Sequence, residues 1–197
     1  MAEPQDVILF FNFRSPYCYL ASKTLWRIFD DYEARLVWRP FGGWTGRSDP
    51  ERFKIKVKAV RQDVRRFAKK LGIAFNPPPV TTDPTRAGAG SLLAEKKGLL
   101  RPYIMEVMHA EWAEGQDIGE TDVLKAVAVK IGLDPDELAA VVDDPAYLAI
   151  LDEHSAQAKE ANVFGVPSFL IGEEIFWGND RVDFVCDALE ELGLKKA

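Results

Sequence analysis

Phe13-Arg14-Ser15-Pro16-Tyr17-Cys18-Tyr19-Leu20-Ala21 decides the fold. Before it runs Val7-Ile8-Leu9-Phe10-Phe11, with the length and composition of a buried strand. After it the period changes, and Tyr19, Leu20, Thr24, Leu25 and Ile28 recur at helical spacing. Between the two, Ser15 is a favoured N-cap. Pro16 suits the first helical position, where its missing N–H would have no partner anyway. A strand therefore ends, a short turn follows, and a helix starts at Ser15-Pro16. Read by itself, this is a capped helix and need be nothing more.

The next run, Ala34-Arg35-Leu36-Val37-Trp38-Arg39, alternates and stops at Pro40, a second strand. Strand–helix–strand with a connection of this length predicts a βαβ unit with parallel strands. Phe41-Gly42-Gly43-Trp44-Thr45-Gly46-Arg47-Ser48 is a glycine-rich loop without the spacing of a phosphate-binding P-loop. Trp44 beside those glycines fits a pocket wall or a plug at the domain edge.

From Asp49 to about Ala161 the strand signal nearly vanishes. Val57, Val60, Val64, Phe67, Ala68 and Leu71 trace one face of a helix that Gly72 ends. Helices are predicted near 86–97, 100–114, 120–131, 135–142 and 145–161, punctuated by Gly98, Gly115, Gly132 and the pairs Asp134-Pro135 and Asp144-Pro145. The pattern then turns again. Ser168–Ile171 and Glu174–Trp177 read as short strands around Gly172-Glu173, a tight hairpin. A last helix runs through Leu192, with Asn179 or Asp180 as its N-cap candidate. The order is β-α-β, a helical block, then β-β-α. It predicts an α/β fold in which residues 1–44 plus 162–197 form one domain and 45–161 an inserted all-helical one.

The totals exclude several classes. A chain of 197 residues that is 47% hydrophobic can bury a substantial core. A net charge of −6 argues against a nucleic-acid binder. No run approaches the roughly 18 apolar residues of a membrane span. The start, Met1-Ala2-Glu3-Pro4-Gln5-Asp6, lacks a basic leader region, so the expectation is a cytoplasmic protein. The two cysteines, Cys18 and Cys186, show no C-x-x-C or metal-type spacing and read as small buried hydrophobes; no metal is expected. His109 and His154 stand alone in helical segments and read as surface or satisfied core groups.

Three motifs, Ser15-Pro16-Tyr17-Cys18-Tyr19-Leu20-Ala21, Phe164-Gly165-Val166-Pro167-Ser168-Phe169 and Phe176-Trp177-Gly178-Asn179-Asp180-Arg181, together resemble the 2-hydroxychromene-2-carboxylate isomerase family. That family is a relative of kappa-class glutathione transferases within the DsbA-like thioredoxin superfamily, and the resemblance covers nearly the whole chain. It implies a thioredoxin-like fold, glutathione as cofactor, a small substrate from aromatic catabolism, a homodimer, and neither nucleic-acid nor membrane partners. Ser15 takes the place of the attacking cysteine of a dithiol oxidoreductase, and a hydroxyl cannot perform thiol–disulfide exchange. The reactive sulfur then arrives with the ligand. A free thiol of pKa about 8.5 is only a few per cent ionised at pH 7. Lowering it by about two units takes roughly 2.7 kcal/mol, which a helix N-terminus plus one hydroxyl hydrogen bond can supply.

By the same resemblance Val166-Pro167 is a cis peptide whose backbone pairs with the cysteinyl unit. Asn179 and Asp180 hold the γ-glutamyl group, and Lys56 the glycine carboxylate. Apart from the resemblance, Tyr17 and Trp44 are candidates for a substrate wall, and Arg47 or Ser48 for a substrate contact from the glycine-rich loop. Two departures stand out. The loop Thr45-Gly46-Arg47-Ser48-Asp49-Pro50 lacks the family's asparagine, and Ala59 stands where a tyrosine is usual. The activity implied is a glutathione-dependent isomerisation. A kappa-like transferase that consumes glutathione and a binding protein without turnover are the alternatives.

Overall fold

The computed structural model describes residues 3–42 and 50–196. The chain folds as β1 (Gln5–Phe11), α1 (Pro16–Ser22), α2 (Arg27–Asp30), β2 (Ala34–Pro40), α3 (Pro50–Leu71), α4 (Thr85–Lys96), α5 (Leu100–Trp112), α6 (Thr121–Ile131), α7 (Pro135–Val141), α8 (Pro145–Glu160), β3 (Ser168–Ile171) and β4 (Glu174–Trp177). A 3₁₀ turn at Asn179–Arg181 then leads into α9 (Val182–Glu191). The strands form one mixed sheet in the order β2-β1-β3-β4. β1 and β2 are parallel, with Leu9 opposite Trp38. β3 is antiparallel to β1 and β4 to β3, which sets Phe10, Ser168 and Trp177 side by side across three strands. This is the thioredoxin-like α/β plan with a helical insertion between its βαβ and ββα parts. Among the described residues, no helix is long and apolar enough to cross a membrane.

The alternation of β1 fixes what covers each face. Phe10 packs with Leu170 and Ala158 of α8 on one side. Leu9 and Phe11 enter the main core on the other. That core reaches straight into the inserted helices. Phe13 meets Tyr103 of α5 edge-on at 6.0 Å, and Phe11 meets Trp38 at 5.0 Å. Each such aromatic pair adds about 0.5–1.5 kcal/mol beyond its burial. The buried indole N–H of Trp38 donates to Ser91 Oγ of α4 at 3.0 Å, so the polar edge of the ring is satisfied inside the core.

Two expectations need correction. Helical spacing ran from Tyr19 to Ile28 as if in one helix. In the structure α1 ends at Ser22 and α2 resumes at Arg27. Lys23 N and Thr24 N bond back only three residues, to Leu20 O and Ala21 O, so the chain tightens between the two helices. Likewise neither Asn179 nor Asp180 caps the last helix. They begin a 3₁₀ turn with no side-chain cap bond, and α9 follows at Val182. Both cysteines are free and buried, as expected. His154 is buried with Nδ1 2.9 Å from Pro40 O, and exposed His109 lies 3.3 Å from Glu114.

Candidate active site

The turn that presents Ser15 is built by Asn12, the residue after β1. Its Oδ1 accepts from Arg14 N at 2.8 Å, its Nδ2 donates to Phe41 O at 2.8 Å, and its carbonyl accepts from Ser15 N at 3.0 Å. An Asx side chain bonding the backbone two residues on is the usual reason this residue type follows a strand. Ser15 is extended (φ −89°, ψ 118°) and its Oγ accepts from Cys18 N at 3.3 Å, an N-cap with Pro16 behind it.

The same hydroxyl donates to Val166 O at 3.3 Å, across 151 positions of sequence. The Val166-Pro167 bond is cis. Its loop is held by Ser168 Oγ donating to Gly165 O at 2.8 Å and by Gly178 N donating to Pro167 O at 3.0 Å. Gly165 is required by close approach. A Cβ there would collide with the indole of Trp177. That indole carries Phe164 edge-on at 4.5 Å, and the two rings are 50% and 74% exposed.

Tyr17, one step into α1, is half-buried. Its hydroxyl donates to Asp63 Oδ2 of α3 at 3.0 Å. Burial, that hydrogen bond and the charges of Asp63 and Asp180 push the phenol up to about 12. Tyr17 thus stands between α3 and the 3₁₀ turn, both of which pack on α1. Asn179 is half-buried and Asp180 exposed, with Asp180 Oδ2 3.2 Å from Arg181 Nη1. Lys56 is exposed on α3, and no described contact ties it to Ser15. Trp44, Arg47 and Ser48 lie outside the described residues. The structure therefore brings Ser15, Tyr17, Val166, Pro167, Asn179 and Asp180 into one neighbourhood.

Cys18 occupies the resolving position of a dithiol site but is fully buried. Burial pushes its thiol up to about 12, against the weaker opposing effects of Asn12 and Ser15. Such a thiol is neither a nucleophile nor a redox partner at neutral pH.

Sequence reasoning missed the support beneath Ser15. The Arg14 guanidinium lies over the Trp112 ring at 5.2 Å, donates to Pro79 O at 3.0 Å, and comes within 3.7 Å of Glu111. Glu111 is fully buried, and burial raises its carboxyl well above the usual range despite Arg14. Trp112 Nε1 donates to Phe13 O at 3.1 Å and so holds the Ser15 turn from α5. The one sequence signal for this cluster was a glutamate on the buried side of α5.

The chain matches the model of the DSBA-like thioredoxin domain over residues 6–190. It is 27% identical to a 2-hydroxychromene-2-carboxylate isomerase of Pseudomonas putida over 94% of this chain and 95% of that protein. It is 28% identical to one of Sphingobium xenophagum over 92% and 96%. Among solved structures, a 2-hydroxychromene-2-carboxylate isomerase superposes with a TM-score of 0.81 at 28% identity, covering 95% of this chain and 96% of that one. The cytosolic disulfide reductase DsbM of Pseudomonas aeruginosa, solved with GSH, shares the fold at a TM-score of 0.74 and 17% identity, covering 96% and 100%. The chain belongs to the DsbA-like thioredoxin family.

Proposed function

We propose that the protein is a glutathione-dependent isomerase of a conjugated, ring-opened aromatic metabolite. The observation that carries this reading is the Ser15 hydroxyl on Val166 O, with Cys18 buried and inert behind it. A thioredoxin-like frame with a hydroxyl at its reactive position and no usable thiol suits a sulfur that enters with the ligand. Likeness to isomerases over nearly the whole chain supports the same reading.

In this reading Val166 pairs with the cysteinyl unit of glutathione through its backbone, Asn179 and Asp180 hold the γ-glutamyl end, and Lys56 the glycine carboxylate. Ser15 releases Val166 O and donates its O–H to the glutathione sulfur. At 3.3 Å the bond it gives up is long and weak. The thiolate lone pair forms a C–S bond at the carbon β to a carbonyl, and the C=C pair moves toward the carbonyl oxygen as an enolate. The former double bond is now single and rotates. The enolate pair re-forms C=C as the C–S bond breaks, and the thiolate returns. Glutathione is not consumed, and no oxidant is needed. Tyr17 and Trp177 supply polar and aromatic walls.

The test is Ser15→Ala. A hydrogen bond to a charged group contributes about 1.5–3 kcal/mol, so isomerisation should fall roughly 10- to 100-fold. The ultraviolet thiolate absorbance of bound glutathione at neutral pH should fall with it. An unchanged thiolate signal in the variant overturns the role of Ser15.

A further inference from the structure

A cleft of about 510 Å³ opens where α1 ends, between that helix and the 3₁₀ turn that packs on it. Its lining carries three cations and three carboxylates, and most of them cancel. Arg27 pairs with Asp183. Arg101 pairs with Asp30 at 2.8 Å while its guanidinium lies over the Trp26 ring at 4.9 Å. Two charges are left over, Lys23 at the end of α1 and Asp180 in the 3₁₀ turn. Asp180 is met at 3.2 Å only by Arg181, which does not line the cleft. Lys23 is half-buried, its ammonium 5.0 Å over the Tyr19 ring. Among the described residues it makes no ion pair; Glu106, whose charge reaches it, pairs with Lys130 at 3.7 Å. Partial burial disfavours the charged form of Lys23, and an anion in the cleft would restore what water no longer supplies.

The cleft is tied to Ser15 from two sides. Along α1, Ser15 is the N-cap and Lys23 the C-cap, about 12 Å apart on the helix axis. Across the cis-proline loop, Ser15 Oγ donates to Val166 O and Gly178 N donates to Pro167 O. Asp180 Oδ1 in turn sits so near Gly178 that a Cβ there would lie 2.6 Å from it. A tripeptide of roughly 10 Å extended length whose sulfur meets Ser15 therefore brings one end to the cleft. One spare ammonium and one spare carboxylate suit a ligand group that carries both opposite charges on a single carbon, the head of an α-amino acid. Of the two ends of glutathione only the γ-glutamyl end has such a head; the glycine end has a carboxylate alone. We propose, on the glutathione-dependent reading of the Ser15 site, that Lys23 is a specificity-determining residue that binds the α-carboxylate of the γ-glutamyl group, with Asp180 on its ammonium, and so selects γ-glutamyl thiols over other thiols.

The test uses the full-length chain as wild type, Lys23→Gln and Lys23→Arg. Each is titrated by calorimetry with glutathione and with 4-aminobutyryl-cysteinylglycine, which lacks only the α-carboxylate. Wild type should bind glutathione about 10-fold more tightly than the analogue, the scale of one charge-assisted hydrogen bond. Lys23→Gln should remove that preference by weakening glutathione alone. Its affinity for the analogue should stay within about twofold, which checks the fold of the variant in the same titration. Lys23→Arg keeps the charge and should keep part of the preference. Unchanged glutathione binding in Lys23→Gln overturns the proposal. So does an equal loss for both ligands, which would make Lys23 a prop for the turn. Failure of wild type to bind glutathione overturns the isomerase reading and the proposal together. A Lys23-dependent preference in a protein whose Ser15→Ala variant keeps its thiolate absorbance upholds the proposal and overturns the role of Ser15.

Discussion

At the scale of single residues, the buried carboxyl of Glu111 is the group whose protonation the fold controls. Its nearest cation, Arg14, is 3.7 Å away, beyond hydrogen-bonding distance, and no part of the side chain reaches water. Burial therefore favours the neutral acid, and the folded carboxyl holds its proton more tightly than the unfolded one does. Below the unfolded value of about 4.3 both states are protonated, and the contribution to stability is fully present. As pH rises from there through the folded value, the unfolded chain gives up a proton that the folded chain retains, and stability falls. Glu111→Gln keeps the shape and cannot ionise. The melting temperature of the variant should gain on that of wild type between about pH 4.5 and about pH 8. A gap that stays constant across that range would mean Glu111 is ionised in the native state. Residues of this kind were the least legible in the sequence. Ser15 and Val166-Pro167 were readable, because cap chemistry and motif spacing are local properties. Glu111 and Asp63 owe their meaning to what approaches them from elsewhere in the fold. Helical period says which face a residue occupies but not which neighbour meets it.

At the scale of elements, punctuation carried most of the information. Gly72, Gly98, Gly115, Gly132 and Gly193 all take positive φ at or just past helix ends, so the breaks between helices were visible as residue types. The break at residues 23–26 was not, because Thr24, Leu25 and Ile28 continue the apolar period through it. Gly90 shows the same limit from the other side. It stands inside α4, where glycine should cost about 1 kcal/mol relative to alanine. The packed structure explains it. A Cβ at Gly90 would strike the Tyr103 hydroxyl and lie 2.7 Å from Leu138 Cδ1, and both side chains are fully buried. Overpacking of that kind costs typically about 1–3 kcal/mol, more than the gain in helix propensity. Gly90→Ala should therefore lower stability by about 1–2 kcal/mol, read as a lower urea midpoint with unchanged slope. A raised midpoint would show that α4 and α5 can slide apart at little cost.

At the scale of the whole molecule, the division into residues 1–44 plus 162–197 and residues 45–161 meets a core that does not stop at that boundary. Phe13, Trp38 and Phe169 from the sheet region share one buried cluster with Ala89, Tyr103, Val107 and Leu124 from the inserted helices. The polar contacts cross as well: Trp38 to Ser91, Trp112 to Phe13, and Tyr19 Oη to Ala74 O at 2.7 Å. A chain longer than about 150 residues has room to unfold in stages. A part that exposes this much apolar surface when its neighbour leaves cannot keep its own fold at ordinary stability. We therefore expect one cooperative urea transition, with tryptophan fluorescence and far-ultraviolet dichroism superimposing. The probes are well placed to separate the halves, because Trp26, Trp38 and Trp177 report on the sheet region and Trp112 on α5. Trp112→Phe supplies the stringent version. It deletes the bond that holds the Ser15 turn from the inserted side and should lower the single midpoint while leaving the two signals coincident. Separation of the signals, in either protein, would mean that the inserted helices fold on their own and that Ser15 is positioned by docking between two bodies instead of by one continuous core.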